Sequence, residues 1–153
     1  MTTSSVAEAF TEFVQDVEPK LRLALVAAFG VEVGVEATAE ALAYGWEHWD
    51  SLSSRPNPAG YLFGVGRNKA RRRRRTRTLL PAPPGGHEFF VEPVLPDALN
   101  SLSDRQRVAV LLVHGDGWTY SEVAELLGLS VSTVQQHAER GMSKLRKHIG
   151  VNR

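Results

Sequence analysis

The residues able to do recognition chemistry fall into three groups. From Arg67 to Arg77 the chain places Arg67, Lys69, Arg71 to Arg75 and Arg77 with no acid among them. Guanidiniums at that density neutralise phosphates, and the amide of Asn68 in their midst can bond an exposed base edge. Charge alone fits a solvated helix end as well as a polyanion site. A second group, Ser132, Thr133, Gln135, Gln136, His137 and Arg140, is polar with little formal charge. Gln bonds an adenine edge bidentately, Ser and Thr reach bases or phosphates, and Arg binds guanine or phosphate. The third group is acidic: Glu36, Glu40 and Glu47 share one face at helical spacing. With no His beside them, they suit a docking face better than acid–base catalysis or metal binding.

Other chemistries are disfavoured by composition. The 153 residues include no Cys, and the five His are scattered, so no thiolate site, disulfide, metal centre or cofactor is expected. Gly64-Val-Gly66 lacks the preceding strand and third glycine of a dinucleotide fingerprint. No apolar run approaches the roughly 20 residues of a membrane span, and the start lacks the basic region of a signal peptide. The chain reads as cytoplasmic, not inserted in a membrane, and not an enzyme. Its net charge of +1 conceals the basic run set against a slightly acidic remainder.

Helices must position these groups. Five of the eight prolines fall between residues 79 and 96, so this stretch reads as an extended linker between two small helical domains, 1–78 and 97–153. The fold class is all-α. In the first domain one helix carries Val6, Phe10, Phe13, Val14 and Val17, and Pro19 opens a second that runs to Phe29 and stops at Gly30. A third, about Val35 to Trp49, presents Val35, Ala39, Leu42, Trp46 and Trp49 as one stripe that reads as buried. After a Ser-rich loop, Asn57 caps a fourth helix with Pro58 at its first position. That helix carries Tyr61 and Asn68 and packs through Ala59, Leu62, Phe63, Gly66 and Ala70.

The C-terminal half carries the stronger local signals. Ser103 to Gln106 and Thr119 to Glu122 are both capping boxes, Gly128 supplies a left-handed turn, and Ser130 caps a last helix that buries Val131, Val134, Ala138, Met142 and Leu145. A short helix, a Gly turn and a longer helix make a helix-turn-helix, an αα-hairpin being the plainer reading. At 100° per residue the buried stripe leaves Ser132, Thr133, Gln136 and Arg140 outward, with Gln135 and His137 on the flanks.

Taken in order, these segments resemble the extracytoplasmic-function group of bacterial RNA polymerase sigma factors, which join a region two to a region four. Residues 19 to 24, Glu36 to Trp49, and Asn57 to Asn68 are similar to region two; Leu102 to Arg107, Trp118 to Gly128 and Ser130 to His137 are similar to region four. The resemblance implies that the Glu36, Glu40 and Glu47 face docks on the clamp helices of the polymerase largest subunit. It further implies that the 50–57 loop with Tyr61, Arg67, Asn68, Arg71 and Arg72 engages the melted minus-10 element. Ser132, Thr133, Gln135, Gln136, His137 and Arg140 would read the minus-35 element. Glu88, Phe89, Phe90 and Glu92 would thread toward the polymerase channels, and an anti-sigma factor is an expected partner. Ala39 stands where the family pattern has Gln, and Gly34 and Gly45 lower helix propensity around the docking helix. The alternative is a stand-alone helix-turn-helix regulator. No aromatic stacking sheet or catalytic constellation supports an RNA adaptor or a hydrolase.

Overall fold

A computed structural model describes residues 3–77 and 94–150. Every regular element among them is helical. Helix α1 spans Thr3–Phe29 without interruption, with Pro19 inside it. The sequence suggested a break there, because an interior Pro loses a hydrogen bond and costs about 3 kcal/mol. Burial outweighs that cost: Val17, Leu21, Ala24, Leu25 and Ala28 lie on one face across the proline, each almost fully covered. Gly30, at φ 92°, ends α1 and directly precedes α2, Val31–Glu47.

Helix α2 buries a different face from the one its hydrophobicity suggests. Its covered residues are small: Gly34, Ala37, Thr38, Ala41 and Gly45. A Cβ at Gly34 would stand 2.5 Å from the Val26 Cα, so the two backbones nearly touch. The stripe expected to be buried faces outward instead: Val35 is 46% and Trp46 47% exposed, Ala39 is exposed, and Leu42 and Trp49 are half-buried. Close backbone approach, with its many short contacts, wins over the larger side chains.

After the single turn α3, Trp49–Leu52, helix α4 runs from Pro58 to Arg77. The expected cap is present, with the Gly60 N–H donating to Asn57 Oδ1 at 3.0 Å. Leu62, Phe63 and Ala70 are buried, and Gly66 lets Leu25 approach to within 2.7 Å of where a Cβ would sit.

Helix α5, Val94–Asn100, begins inside the stretch expected to be extended, with Pro96 in its first turn, where a missing N–H costs nothing. Residues 78–93, including Glu88, Phe89, Phe90 and Glu92, lie outside the described residues. Helix α6, Asp104–Val110, opens with the predicted Ser103 capping box and continues into a π-turn over Leu111–Gly115. Helix α7, Tyr120–Leu127, opens with the Thr119 box. Gly128, at φ 68°, turns the chain into α8, Val131–Ile149, capped by Ser130. Val134, Ala138 and Leu145 of α8 are buried as expected; Val131, in its first turn, is 46% exposed and Met142 half-buried. A Cβ at Gly141 would lie 2.6 Å from Val110 Cγ2, which sets how closely α8 crosses α6.

The two halves share one apolar cluster, in which Leu21, Leu25, Leu62 and Phe63 are continuous with Val108, Leu112, Val123 and Val134. Ala98, Leu102, Val110 and Leu145 form a second, smaller cluster.

Candidate functional site

Helix α4 brings most of the first polar group to one face. Tyr61, Asn68 and Arg72 recur at seven and four residues, so they line up along about 15 Å of helix, with Arg71 beside them. Asn68, Arg71 and Arg72 are exposed and Tyr61 is half-buried. Arg67 turns elsewhere. It lines a cavity of about 60 Å³ together with Phe29, Phe63, Asp104, Arg105 and Leu127, between the two halves. Burial first, and then the nearby charges of Arg71 and Arg105, lower its guanidinium pKa.

Around Tyr61 sits a cluster that sequence reasoning missed. The Arg55 guanidinium lies 3.7 Å from the centre of the Tyr61 ring, and the Tyr61 hydroxyl is 3.3 Å from that of Tyr44. Tyr44 stacks on His48 with ring centres 4.0 Å apart. The hydroxyl contact raises the Tyr44 pKa, burial and the Tyr61 charge adding to it. The i, i+4 spacing of Tyr44 and His48 was the visible signal, but pairing with Tyr61 depends on how α2 crosses α4. Aromatic faces beside a guanidinium and an exposed amide suit the stacking of unpaired bases.

On α8 the second group divides by how firmly each side chain is held. The Ser130 hydroxyl lies 2.7 Å from that of Thr133 and 3.2 Å from that of Ser132, fixing both near the helix start. Gln135 donates to Glu139 Oε1 at 3.2 Å, an acid on the same outer face that the sequence reading did not single out. Gln136 and Arg140 are exposed. His137 is half-buried, and burial, followed by the charges of Arg105 and Arg140, lowers its pKa and favours the neutral ring. Arg105, exposed on α6, therefore stands electrostatically between Arg67 of α4 and His137 of α8.

The acidic group has a partner within the chain. Arg73 of α4 places one guanidinium nitrogen 2.8 Å from Glu36 and another in contact with Glu40. All three side chains remain about one-third exposed. Glu47 is exposed at the far end of α2. Beside this acidic strip runs the uncovered apolar stripe, Val31, Val35, Ala39 and Trp46, with the Trp46 ring 5.2 Å from that of Phe10. Among the described residues no group of His, Asp and Glu is arranged to hold a metal ion, and no helix is long and apolar enough to cross a membrane.

Residues 94–145 match the family described as Sigma-70, region 4. The chain is 40% identical over 53 residues to the ECF RNA polymerase sigma factor SigK of Mycolicibacterium vanbaalenii, covering 35% of this chain and 27% of that one. It is 35% identical over 75 residues to the RNA polymerase sigma factor CarQ of Myxococcus xanthus, covering 49% and 43%. These matches thus span between about a quarter and just under half of the curated relatives' length. In three dimensions the chain is similar to the sigma factor RpoE of Bartonella quintana, solved in complex with the anti-sigma factor NepR. The TM-score is 0.63 at 23% identity, over 95% of this chain and 99% of that one, so the fold is shared.

Proposed function

We propose that this chain is a sigma factor of the extracytoplasmic-function group that binds core RNA polymerase, carries it to promoters and helps open them, a reading supported by the region 4 match and the named relatives. The observation that carries this reading is the pairing of two different polar faces in one fold. Helix α8 is a capped helix with a polar outer face, while α4 carries Tyr61, Asn68, Arg71 and Arg72 on the side of the Arg55–Tyr44–His48 cluster. A duplex reader needs only the first; the second suits unstacked single strand.

In this reading, residues 1–78 act as region two and 97–153 as region four, joined by 79–96. Gln136 and Arg140, flanked by Ser132, Thr133, Gln135 and neutral His137, read the minus-35 duplex. Tyr61, Asn68, Arg71 and Arg72 hold the melted minus-10 strand, where capture of an extruded base offsets a few kcal/mol of unstacking. Arg67 joins them once it leaves the interdomain cavity. Phosphate neutralisation by the arginines supplies much of the affinity. The polymerase clamp helices dock on α2, contacting Glu36, Glu40 and Glu47 together with Val31, Val35 and Trp46. The apolar stripe adds affinity that the acids alone lack, which offsets Ala39 in place of Gln. The protein works in the cytoplasm without catalysis of its own, and an anti-sigma factor controls it.

Permanganate footprinting tests this reading. Core polymerase plus the chain should expose unpaired thymines near the minus-10 position of a cognate promoter. A stand-alone regulator would bind the duplex and leave those thymines unreactive with or without core.

A further inference from the structure

Helices α1, α4, α6 and α7 leave between them the cavity of about 60 Å³ that Arg67 lines. Helix α4 supplies one wall through Gly60, Phe63, Gly64 and Arg67, which recur at three and four residues and so share a face. Gly64 leaves the room, because a Cβ built there would meet nothing within 4 Å. Phe29 of α1 and Val108 of α6, both buried like Phe63, make the remaining walls apolar. The cavity is polarised along α4. Gly60 stands against the end of α7, where a Cβ would lie 3.2 Å from the Glu125 carbonyl oxygen. Arg67 lies about 10 Å further along the helix, beside Asp104 and Arg105 of α6.

The basic end carries more positive charge than its one acid offsets. The guanidiniums of Arg67, Arg105 and Arg107 gather about the Asp104 carboxylate. Arg107 bonds that carboxylate at 2.9 Å, and its Nε donates to the Ala27 carbonyl at 2.7 Å. Arg67 is half-buried, and no carboxylate among the described residues forms an ion pair with it. Burial and the charges of Arg71 and Arg105 already work against its protonated form, a penalty that a bound anion relieves. A bare phosphate suits the guanidiniums but would turn some of its oxygens toward apolar walls. A carboxylate holds both oxygens at one end, takes two parallel bonds from a guanidinium fork, and leaves a hydrocarbon tail for the Phe29 and Phe63 walls. At about 10–15 Å³ for each water-sized group, the space admits about four to six non-hydrogen atoms.

We infer that this cavity is a binding site for a small aliphatic carboxylate of about three or four carbons, its carboxylate held by Arg67 and Arg105 and its chain lying against Phe29, Phe63 and the bare backbone of Gly64. The inference stands apart from the sigma-factor reading, since it uses only the shape of the cavity and the groups around it.

Butyrate is the probe, titrated into the full-length chain and followed by backbone amide and arginine side-chain NMR signals. It should give saturable shifts at Gly60, Gly64 and Arg67, with a dissociation constant in the millimolar range, the strength open to so few atoms. Butan-1-ol, which lacks the charge, and inorganic phosphate, which lacks the chain, should each bind about tenfold more weakly or worse. Two variants locate the site. Arg67→Gln keeps a polar side chain but removes the charge, and should weaken butyrate about tenfold or more. Gly64→Leu fills the empty space and raises the helix propensity of α4, so it should abolish binding while the thermal midpoint holds or rises. If Gly64→Leu fails to fold, Arg67→Gln decides alone. No saturable shifts in the parent overturn the site. Unchanged butyrate affinity in Arg67→Gln, or in a folded Gly64→Leu, also overturns it, and phosphate binding as tightly as butyrate overturns its assignment to a carboxylate.

Discussion

Arg73 holds Glu36 across the gap between α4 and α2, with a guanidinium nitrogen 2.8 Å from the carboxylate. Arg73, inside the arginine run, is therefore as available to the acidic face as to any phosphate. The pair is partly solvated, which limits its worth to about 0–1 kcal/mol. Its position matters more, because it ties α2, the proposed docking helix, to α4, the proposed minus-10 helix.

The first prediction follows from that tie. Glu36→Gln with Glu40→Gln should lower stability by less than about 1 kcal/mol per lost contact, yet weaken binding to core polymerase. Arg73→Gln releases the same carboxylates and should leave core binding equal or tighter. Fluorescence titration against core checks both; equal weakening by the two changes would mean that the ion pair, not the carboxylates, is what the polymerase meets.

Trp46→Ala with Val35→Ala should also weaken core binding, with little loss of thermal stability because both side chains are about half exposed. Core-binding titrations beside thermal melts test this. A large drop in melting temperature with unchanged core affinity would assign the stripe to packing against α1 instead.

On α8, Gln136→Ala should cost about 1–3 kcal/mol on cognate duplex and relax preference at one or two positions. Arg140→Ala should weaken all sequences alike and flatten the salt dependence by up to about 0.9 per lost phosphate contact. Binding selections on randomised minus-35 sites would detect either, and unchanged preference across Ser132, Thr133 and Gln136 substitutions would show that the helix does not read bases.

His137 gives a pH signature. Its folded pKa lies below the ordinary 6.5, so the unfolded chain binds more protons between the two values. Its contribution to stability is present above pH 6.5 and is lost as pH falls through the folded value. Denaturant midpoints measured from pH 7.5 down to 5 should decline less in His137→Gln than in the parent, and identical slopes would contradict the placement of the ring.

How much of this was legible in the sequence depended on range. Ser103, Thr119, Gly128 and Ser130 act on backbone within a few residues of themselves, and each cap is where its residue type predicts. Helix α2 misled because periodicity marks an apolar face without saying what lies against it. Gly34, Ala37, Ala41 and Gly45 carry little hydrophobicity but admit a neighbouring backbone, and α1 and α4 took that side. Pro19 likewise yielded to the packing of Leu21 and Leu25. The Arg55–Tyr61 contact and the reach of Arg107 to Ala27 join residues set apart by loops or by half the chain, and local spacing holds no trace of the second.

Asn68 and the arginines on the same helix should separate. Asn68→Ala removes a hydrogen-bonding edge without removing charge, so duplex binding should hold while promoter opening falls. Replacing Arg71 to Arg75 by Gln should reduce the salt slope on duplex DNA. Permanganate reactivity and salt-dependent binding, both with core present, distinguish them, and equal opening by Asn68→Ala and the parent would leave α4 as an electrostatic anchor.

The central claim is that this chain turns core polymerase into a promoter-specific enzyme, and run-off transcription measures that directly. Core polymerase alone, and core with this protein, are given the same templates carrying candidate promoters. The account predicts a discrete run-off product only when the protein is present, lost when the minus-10 or minus-35 sequence is scrambled. The same background with and without the protein, while it still binds the duplex, would contradict the account and leave a helix-turn-helix regulator.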